Sequence, residues 1–231
     1  TPKTTKKTTN PQPIQIILKK NKLFLFSFIL ISFTSLAQKP FSGELNYKST
    51  MNFPDTNLVY KSWDVKVFTN DTIVRVETQT DALGNQIYIR NITVGKAYLL
   101  IDMDGQKFAI QTDLNKKKAA DTTKIAYTHK KKIFGGKKIN GIKCRKYHIV
   151  YSEKIQFDCY FAKNISNKYL EVYENIPGLA VDYFIPNEDG LIHYQLTKID
   201  EKKVDRNLFG IPSDYKRVSF EEFMKSMGLS E

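Results

Sequence analysis

Gly136-Lys-Lys-Ile-Asn-Gly-Ile-Lys-Cys-Arg-Lys-Tyr147, followed through a strand-turn-strand pattern to Phe161 and then by Asn175-Ile-Pro-Gly-Leu-Ala-Val-Asp-Tyr-Phe184, is the stretch that sets the fold class. Ile142 to Tyr151 and Ile155 to Ala162 read as one hairpin. Leu179 to Ile185 and Leu191 to Ile199 read as a second, joined across Asn187-Glu-Asp-Gly190. Apolar residues recurring at every second position, with turn residues at short intervals, are the pattern of a meandering antiparallel sheet.

Working outward, the same period continues upstream. Phe41 to Met51 opens it, and Val59 to Phe68 places Trp63, Val65 and Val67 on one face with Asp64 and Lys66 on the other. Thr72 to Thr78 returns with Val74 and Val76 inward, and Ile87 and Ile89 alternate with Tyr88 and Arg90. In the run 97 to 103, Ala97, Leu99, Ile101 and Met103 share a face while Tyr98 and Leu100 make the opposite face apolar too. A strand apolar on both faces is covered on both, by a helix or by a bound lipophile. Asp104-Gly105 then signals a tight hairpin into Phe108 and Ile110. Downstream, Asn164 to Asn175 reads as helix or irregular coil. Ser219-Phe-Glu-Glu222 is a capping box leading into a stripe of Phe220, Phe223, Met224 and Met227, which predicts a C-terminal helix on the sheet. The expected class is mainly β with minor α. With 13 Tyr and 15 Phe in 231 residues the chain has ample material for such a core.

The formal net charge is +12, but six lysines and no acid lie in the first 37 residues; the remainder holds 30 basic and 24 acidic residues, a net of +6. That is an ordinary balance, and it argues against a nucleic-acid partner. The early lysines belong to a targeting pattern. Lys19, Lys20 and Lys22 precede the apolar run Leu23 to Ile31, and Ser35-Leu-Ala37 offers small residues before Gln38. This is the layout of a Sec signal peptide, too short in its apolar part for a membrane span. The expected organisation is a non-native or disordered leader over 1–17, a signal peptide over 18–37 and one β-rich domain over 38–231. The protein is then periplasmic or secreted, does not span a membrane after cleavage, and carries no lipid anchor, since no Cys follows the cleavage site.

Few residues promise chemistry. Cys144 and Cys159 are the only cysteines, and export makes a disulfide between them the default. The hairpin period bears on it: a three-residue loop Ser152-Glu-Lys154 turns Cys144 away from Cys159, whereas a two-residue loop Ser152-Glu153 puts them on one face, a diagonal step apart. His129, His148 and His193 lack metal-ligand spacing, and no phosphate loop, nucleophile elbow or cofactor motif is present, so neither an enzyme nor a cofactor is expected. Asn115 to Lys138 carries Lys116 to Lys118, Lys130 to Lys132 and Lys137-Lys138 in a polar stretch. It reads either as a solvated loop or as a docking patch for anionic lipid or an acidic partner.

Phe41-Ser-Gly-Glu-Leu-Asn-Tyr47, Ile139-Asn-Gly-Ile-Lys-Cys-Arg-Lys-Tyr147, Phe161-Ala-Lys-Asn-Ile165, Ile176-Pro-Gly-Leu179 and Phe209-Gly-Ile-Pro-Ser-Asp-Tyr-Lys216 together resemble the envelope proteins of the GLPGLI type and their relatives similar to the lipoprotein carrier LolA. Of the naming hexapeptide, Pro177, Gly178 and Leu179 match, while Asn175 and Ala180 depart from it. The resemblance implies a curved, unclosed LolA-like antiparallel barrel with helices on its concave face, a shape that in the carriers holds acyl chains. It implies no catalytic residues. Two functions follow as expectations. One is a periplasmic binding protein that shelters an apolar ligand or a lipidated partner in a cavity lined by Trp63, Tyr98, Leu100 and Tyr147. The other is an envelope interaction protein without a small-molecule ligand, docking another envelope protein through its lysine-rich segment. The export reading predicts that the intact mass of the protein recovered from its compartment corresponds to a chain starting at Gln38; a species retaining Leu23 to Phe33 would overturn it.

Overall fold

The computed structural model describes residues 38–52, 59–80, 84–103, 105–114, 126–170, 172–187 and 190–228. The expected leader and signal peptide, Asp104 of the hairpin turn, and Lys116 to Lys118 lie outside the described residues. Described strands are β1 (Ser42–Asn52), β2 (Val59–Asn70), β3 (Ile73–Thr80), β4 (Gly84–Asn91), β5 (Lys96–Met103), β6 (Gln106–Asp113), β7 (Thr128–Lys131), β8 (Lys137–Ile139), β9 (Ile142–Val150), β10 (Gln156–Ala162), β11 (Leu179–Asn187), β12 (Gly190–Glu201) and β13 (Lys216–Ser219), with one helix, α1 (Phe220–Ser226). They form one curved, unclosed sheet in the order β13-β6-β5-β4-β3-β2-β1-β12-β11-β10-β9-β7, with β8 also on β9. Every pairing is antiparallel except β13 on β6. The mainly β class and the C-terminal helix are as the periodicity predicts.

Alternation along the strands separates two faces. On the core face Leu45 and Tyr47 of β1 meet Val65 and Val67 of β2, which continue into Val74 and Val76 of β3. The register carries this face on through Tyr88 and Arg90 to Leu99, Ile101, Phe108 and Ile110. There α1 closes it, with Phe223 edge-on to Phe108 at 5.5 Å between ring centroids. The opposite face of the same strands holds Ile87, Ile89, Leu100 and Ala109, covered by Ile211 and Tyr215 of the segment before β13. Arg75 ties that segment down by donating to the Leu208 carbonyl at 3.0 Å. The two-sided apolar pattern of β5 is thus satisfied by the chain itself: helix on one side, strap on the other.

The capping box forms as its residues predict, Ser219 Oγ accepting from the Glu222 amide at 3.1 Å and Glu222 accepting from the Ser219 amide at 2.7 Å. The stripe docks only in part. Phe223 and Met224 are half-buried, whereas Phe220 is 57% and Met227 39% exposed, because a helix of 7 residues offers one turn of contact to the sheet edge.

Two tight turns carry the backbone requirement in their sequence. Asn140 (φ 47°) and Gly141 (φ 80°) are the two central residues between paired Ile139 and Ile142, a type I′ turn joining β8 to β9. Gly178 sits at φ 115°, and a Cβ there would lie 2.5 Å from the Ala162 carbonyl oxygen. Neither conformation nor space admits a side chain where the chain turns into β11. Gly178→Ala is therefore expected to destabilise the fold by roughly 2 kcal/mol or more, read as a lower urea midpoint with an unchanged slope. An unaltered midpoint would show that β11 does not begin against Ala162 as described.

Candidate functional site

The space on the core face between β3 and β10 is filled by the connection from β10 to β11, the segment whose sequence leaves helix and coil open. It is irregular apart from a 3-10 turn over Asn167–Tyr169, capped by Ser166, whose hydroxyl accepts from the Lys168 amide at 3.3 Å. Asn167 braces the loop from within, its amide nitrogen donating to the Glu174 and Ile176 carbonyls at 3.1 Å each. Its apolar residues Ile165, Tyr169, Tyr173 and Ile176 are buried. Each tyrosine hydroxyl finds a partner, as burial demands. Tyr169 donates to Asp71 and accepts from the Phe41 amide at 2.9 Å; Tyr173 donates to the Phe184 carbonyl. Burial, reinforced by the Asp71 carboxylate, pushes the Tyr169 phenol well above its ordinary range, so it remains a donor. Arg90, 4% exposed, donates to the Lys168 carbonyl at 2.6 Å and fixes the plug to β4.

The four residues expected to line one cavity are divided between the two faces. Trp63 and Tyr147 belong to the main core, Trp63 edge-on to Tyr194 at 6.4 Å and Tyr147 to Phe161 at 5.3 Å. Tyr98 and Leu100 lie on the opposite face beneath Ile211 and Tyr215. Leu100 and Tyr147 are 0% and 5% exposed. No single cavity reaches all four, since the sheet itself lies between the pairs. Alternation had already put Trp63 and Leu100 in separate strands, and only the register shows that they face apart.

Of the two loop alternatives for Cys144 and Cys159, the structure has the one that keeps them apart, with both cysteines free and buried. Tyr147 pairs with Cys159 and Val150 with Gln156, which requires the odd loop Ser152 to Lys154 and turns Cys144 to the other face. Burial pushes the thiols up to about 11 and about 12, so neither is a thiolate nucleophile.

On the Cys144 face of β9 to β12, two carboxylates sit among cations. Asp158 is 2.5 Å from Lys146 and 2.9 Å from His148. Asp182, 7% exposed, is 2.7 Å from His193 and 3.3 Å from Lys137, whose ammonium also stands 4.0 Å over the Tyr160 ring. For Asp182 burial raises the pKa, but the hydrogen bond and charge of His193, then those of Lys137, outweigh it and leave the carboxyl below its usual range.

Beyond these pairs lies the sheet edge, and here the lysine-rich stretch is more than a loop. β7 and β8 both hydrogen-bond β9, one after the other along its free side, and Ile133 to Gly136 bulges out between them. The bulge is held at both ends: the Lys132 amide donates to the Lys146 carbonyl at 3.0 Å, and beyond Gly136 the chain re-enters the sheet where Lys137 pairs with Cys144. Gly135 (φ 93°) makes the reversal. At its tip Ile133 is 89% and Phe134 86% exposed. Burial of such side chains is worth about 1.5–3 kcal/mol each, which this conformation forgoes. From 126 to 150 the sequence has eight basic residues and no acidic one. Lys137 and Lys146 are engaged by Asp182 and Asp158, while among the described residues Lys130, Lys131, Lys132, Lys138 and Lys143 have no carboxylate partner. Sequence reading noted the lysines and passed over Ile133-Phe134; the signal was two large apolar residues between lysine runs, followed by Gly-Gly.

The Asp182 pairing yields a pH prediction. A carboxyl whose folded pKa is depressed adds stability above its unfolded value, near pH 4, and that stability is lost as pH falls through the folded value. Asp182→Asn is expected to cost roughly 1–3 kcal/mol at neutral pH and to flatten the acid limb of a urea-midpoint profile below about pH 4. An acid limb identical to wild type would remove Asp182 from the groups that set it.

No family model and no curated protein matches the sequence. Among solved structures the chain is similar to MucB in complex with MucA(peri), at 13% identity and a TM-score of 0.41 over 84% of this chain and 62% of that one. It is also similar to the Pseudomonas aeruginosa MucA/MucB complex, at 12% identity and a TM-score of 0.43 over 84% and 64%. The chain thus spans less than two thirds of the length of the solved structures it matches.

Proposed function

We propose that this chain is an exported, non-enzymatic docking protein of the cell envelope, a single domain over 38–231 that presents the lysine-rich edge of a rigid sheet to another envelope component. The observation that carries the reading is the bulge between β7 and β8, which holds Ile133 and Phe134 in solvent on a backbone pinned by strand pairing at both ends. Edge strands are commonly guarded by lysines and bulges against pairing with other chains. Guarding explains the lysines and not the two apolar side chains at the tip, which work against it. An exposed apolar feature rimmed by charge is the composition of an interaction site.

The expectation of a sheltered apolar ligand has less support. Such a ligand on the core face would displace Tyr169 and Tyr173 and leave Asp71 and the Phe184 carbonyl without their donors. On the other face it would displace Ile211 and Tyr215 from Leu100.

The test is fractionation of the exported protein against its double variant Ile133→Ser/Phe134→Ser. Wild type is expected to sediment with envelope membranes or an envelope complex, and the variant to remain in the soluble fraction with an unchanged thermal midpoint. Equal distribution of the two would overturn the docking reading. Native mass spectrometry of the same gently extracted protein decides the other one: an acyl species bound in stoichiometric amount would replace docking by carriage.

A further inference from the structure

The partner that this edge fits is, we propose, the surface of an anionic lipid bilayer, entered by Ile133 and Phe134 and held by the surrounding lysines. The inference rests on the docking reading above and names its partner. Three observations select a bilayer over a protein. First, the apolar pair projects from a convex bulge, with both side chains nearly free of contact, 89% and 86% exposed. A protein partner would have to supply a pocket to receive such a tip, whereas the acyl boundary of a membrane needs none.

Second, the charge is arranged as a collar. Lys130, Lys131 and Lys132 lead into the bulge, Lys138 follows it, and Lys143 is paired with Lys138 across the β8–β9 hairpin. All five are exposed, and no acidic residue lies between 126 and 150 to interrupt them. A polybasic rim around an apolar tip is complementary to anionic headgroups above an acyl interior. Third, the tip is preformed. The Lys132 amide to Lys146 carbonyl bond on one side and the pairing of Lys137 with Cys144 on the other hold the backbone, so inserting the pair requires no folding of the loop. Neither apolar insertion nor one collar alone gives a firm hold on a membrane; the two signals together do.

The experiment is co-sedimentation of the purified protein with protein-free vesicles, either phosphatidylcholine alone or phosphatidylcholine and phosphatidylglycerol in equal parts. Binding is expected to the anionic vesicles only, and to weaken as salt is raised. Ile133→Ser and Phe134→Ser should each weaken it by about tenfold or more, and Lys→Gln changes at 131, 132 and 138 by roughly fivefold apiece. Val94→Ser, which removes a side chain 58% exposed in a different turn, should leave binding unchanged. Phe134→Trp gives an independent readout: its fluorescence should shift to the blue on adding anionic vesicles and be quenched by brominated acyl chains. Because the altered side chains are solvent-exposed, an unchanged thermal midpoint verifies folding. Binding to polyglutamate with no binding to vesicles would overturn the bilayer and leave an acidic protein as the docking partner. Sedimentation with cell envelopes but not with protein-free vesicles would do the same. Loss of both overturns the docking reading itself.

Discussion

The hydroxyls of Tyr169 and Tyr173 impose the constraint on which the remaining structure depends. A buried phenol without a partner loses roughly 1–3 kcal/mol, comparable with what its ring gains by burial, unless a hydrogen bond replaces the lost water. Tyr169 reaches Asp71 in the turn that follows β2, 98 residues away in sequence, and Tyr173 reaches the Phe184 carbonyl in β11, the strand into which the connection runs. The connection between β10 and β11 is thereby locked across the sheet, and Phe41, Phe161 and Tyr183 pack around the two rings at centroid distances of 5.7–6.4 Å. What an open, curved sheet could leave as a groove becomes instead an aromatic interior.

Several features were legible in the chain before any coordinates. Period-two patterns gave most of β1 through β6 and β9 through β12, because a strand that buries one face writes alternation into its sequence, whereas β5 and β11, covered on both faces, show as apolar runs instead. The box at Ser219 and Glu222 was equally readable, since a cap is a local contract between residues three apart. β7 was not. All four of its residues are exposed, and only pairing with β9 makes it a strand. β13 has one buried residue in four and pairs in parallel with β6, a partner about a hundred residues away that no local pattern names. Asn140-Gly141 was readable as a hairpin turn and was overlooked beside Asp104-Gly105.

The candidate site was less legible for a related reason. Trp63, Tyr98, Leu100 and Tyr147 look alike in composition, and the face that each one joins follows from register, which sequence spacing does not supply across strands. The cysteines repeat this lesson at one hairpin, where a single residue of loop length decides whether two thiols meet. Ile133 and Phe134 stand out only once exposure is known, since two apolar residues in a polar stretch ordinarily mark a strand turning inward.

The position of β1 has a consequence for how the chain reaches this state. It lies between β2 and β12, and its bonds to β12 join groups such as Asn46 and Thr197, 151 residues apart in sequence. A chain delivered N-terminus first can zip β1 to β6 as it arrives, yet the inner margin of β1 stays open until nearly everything else has followed. Assembly therefore waits on a late, long-range closure, the kind of step that makes folding slow and leaves an adhesive seam in the meantime. Escort of the growing chain until β12 arrives would protect that seam during the interval when it is least able to protect itself.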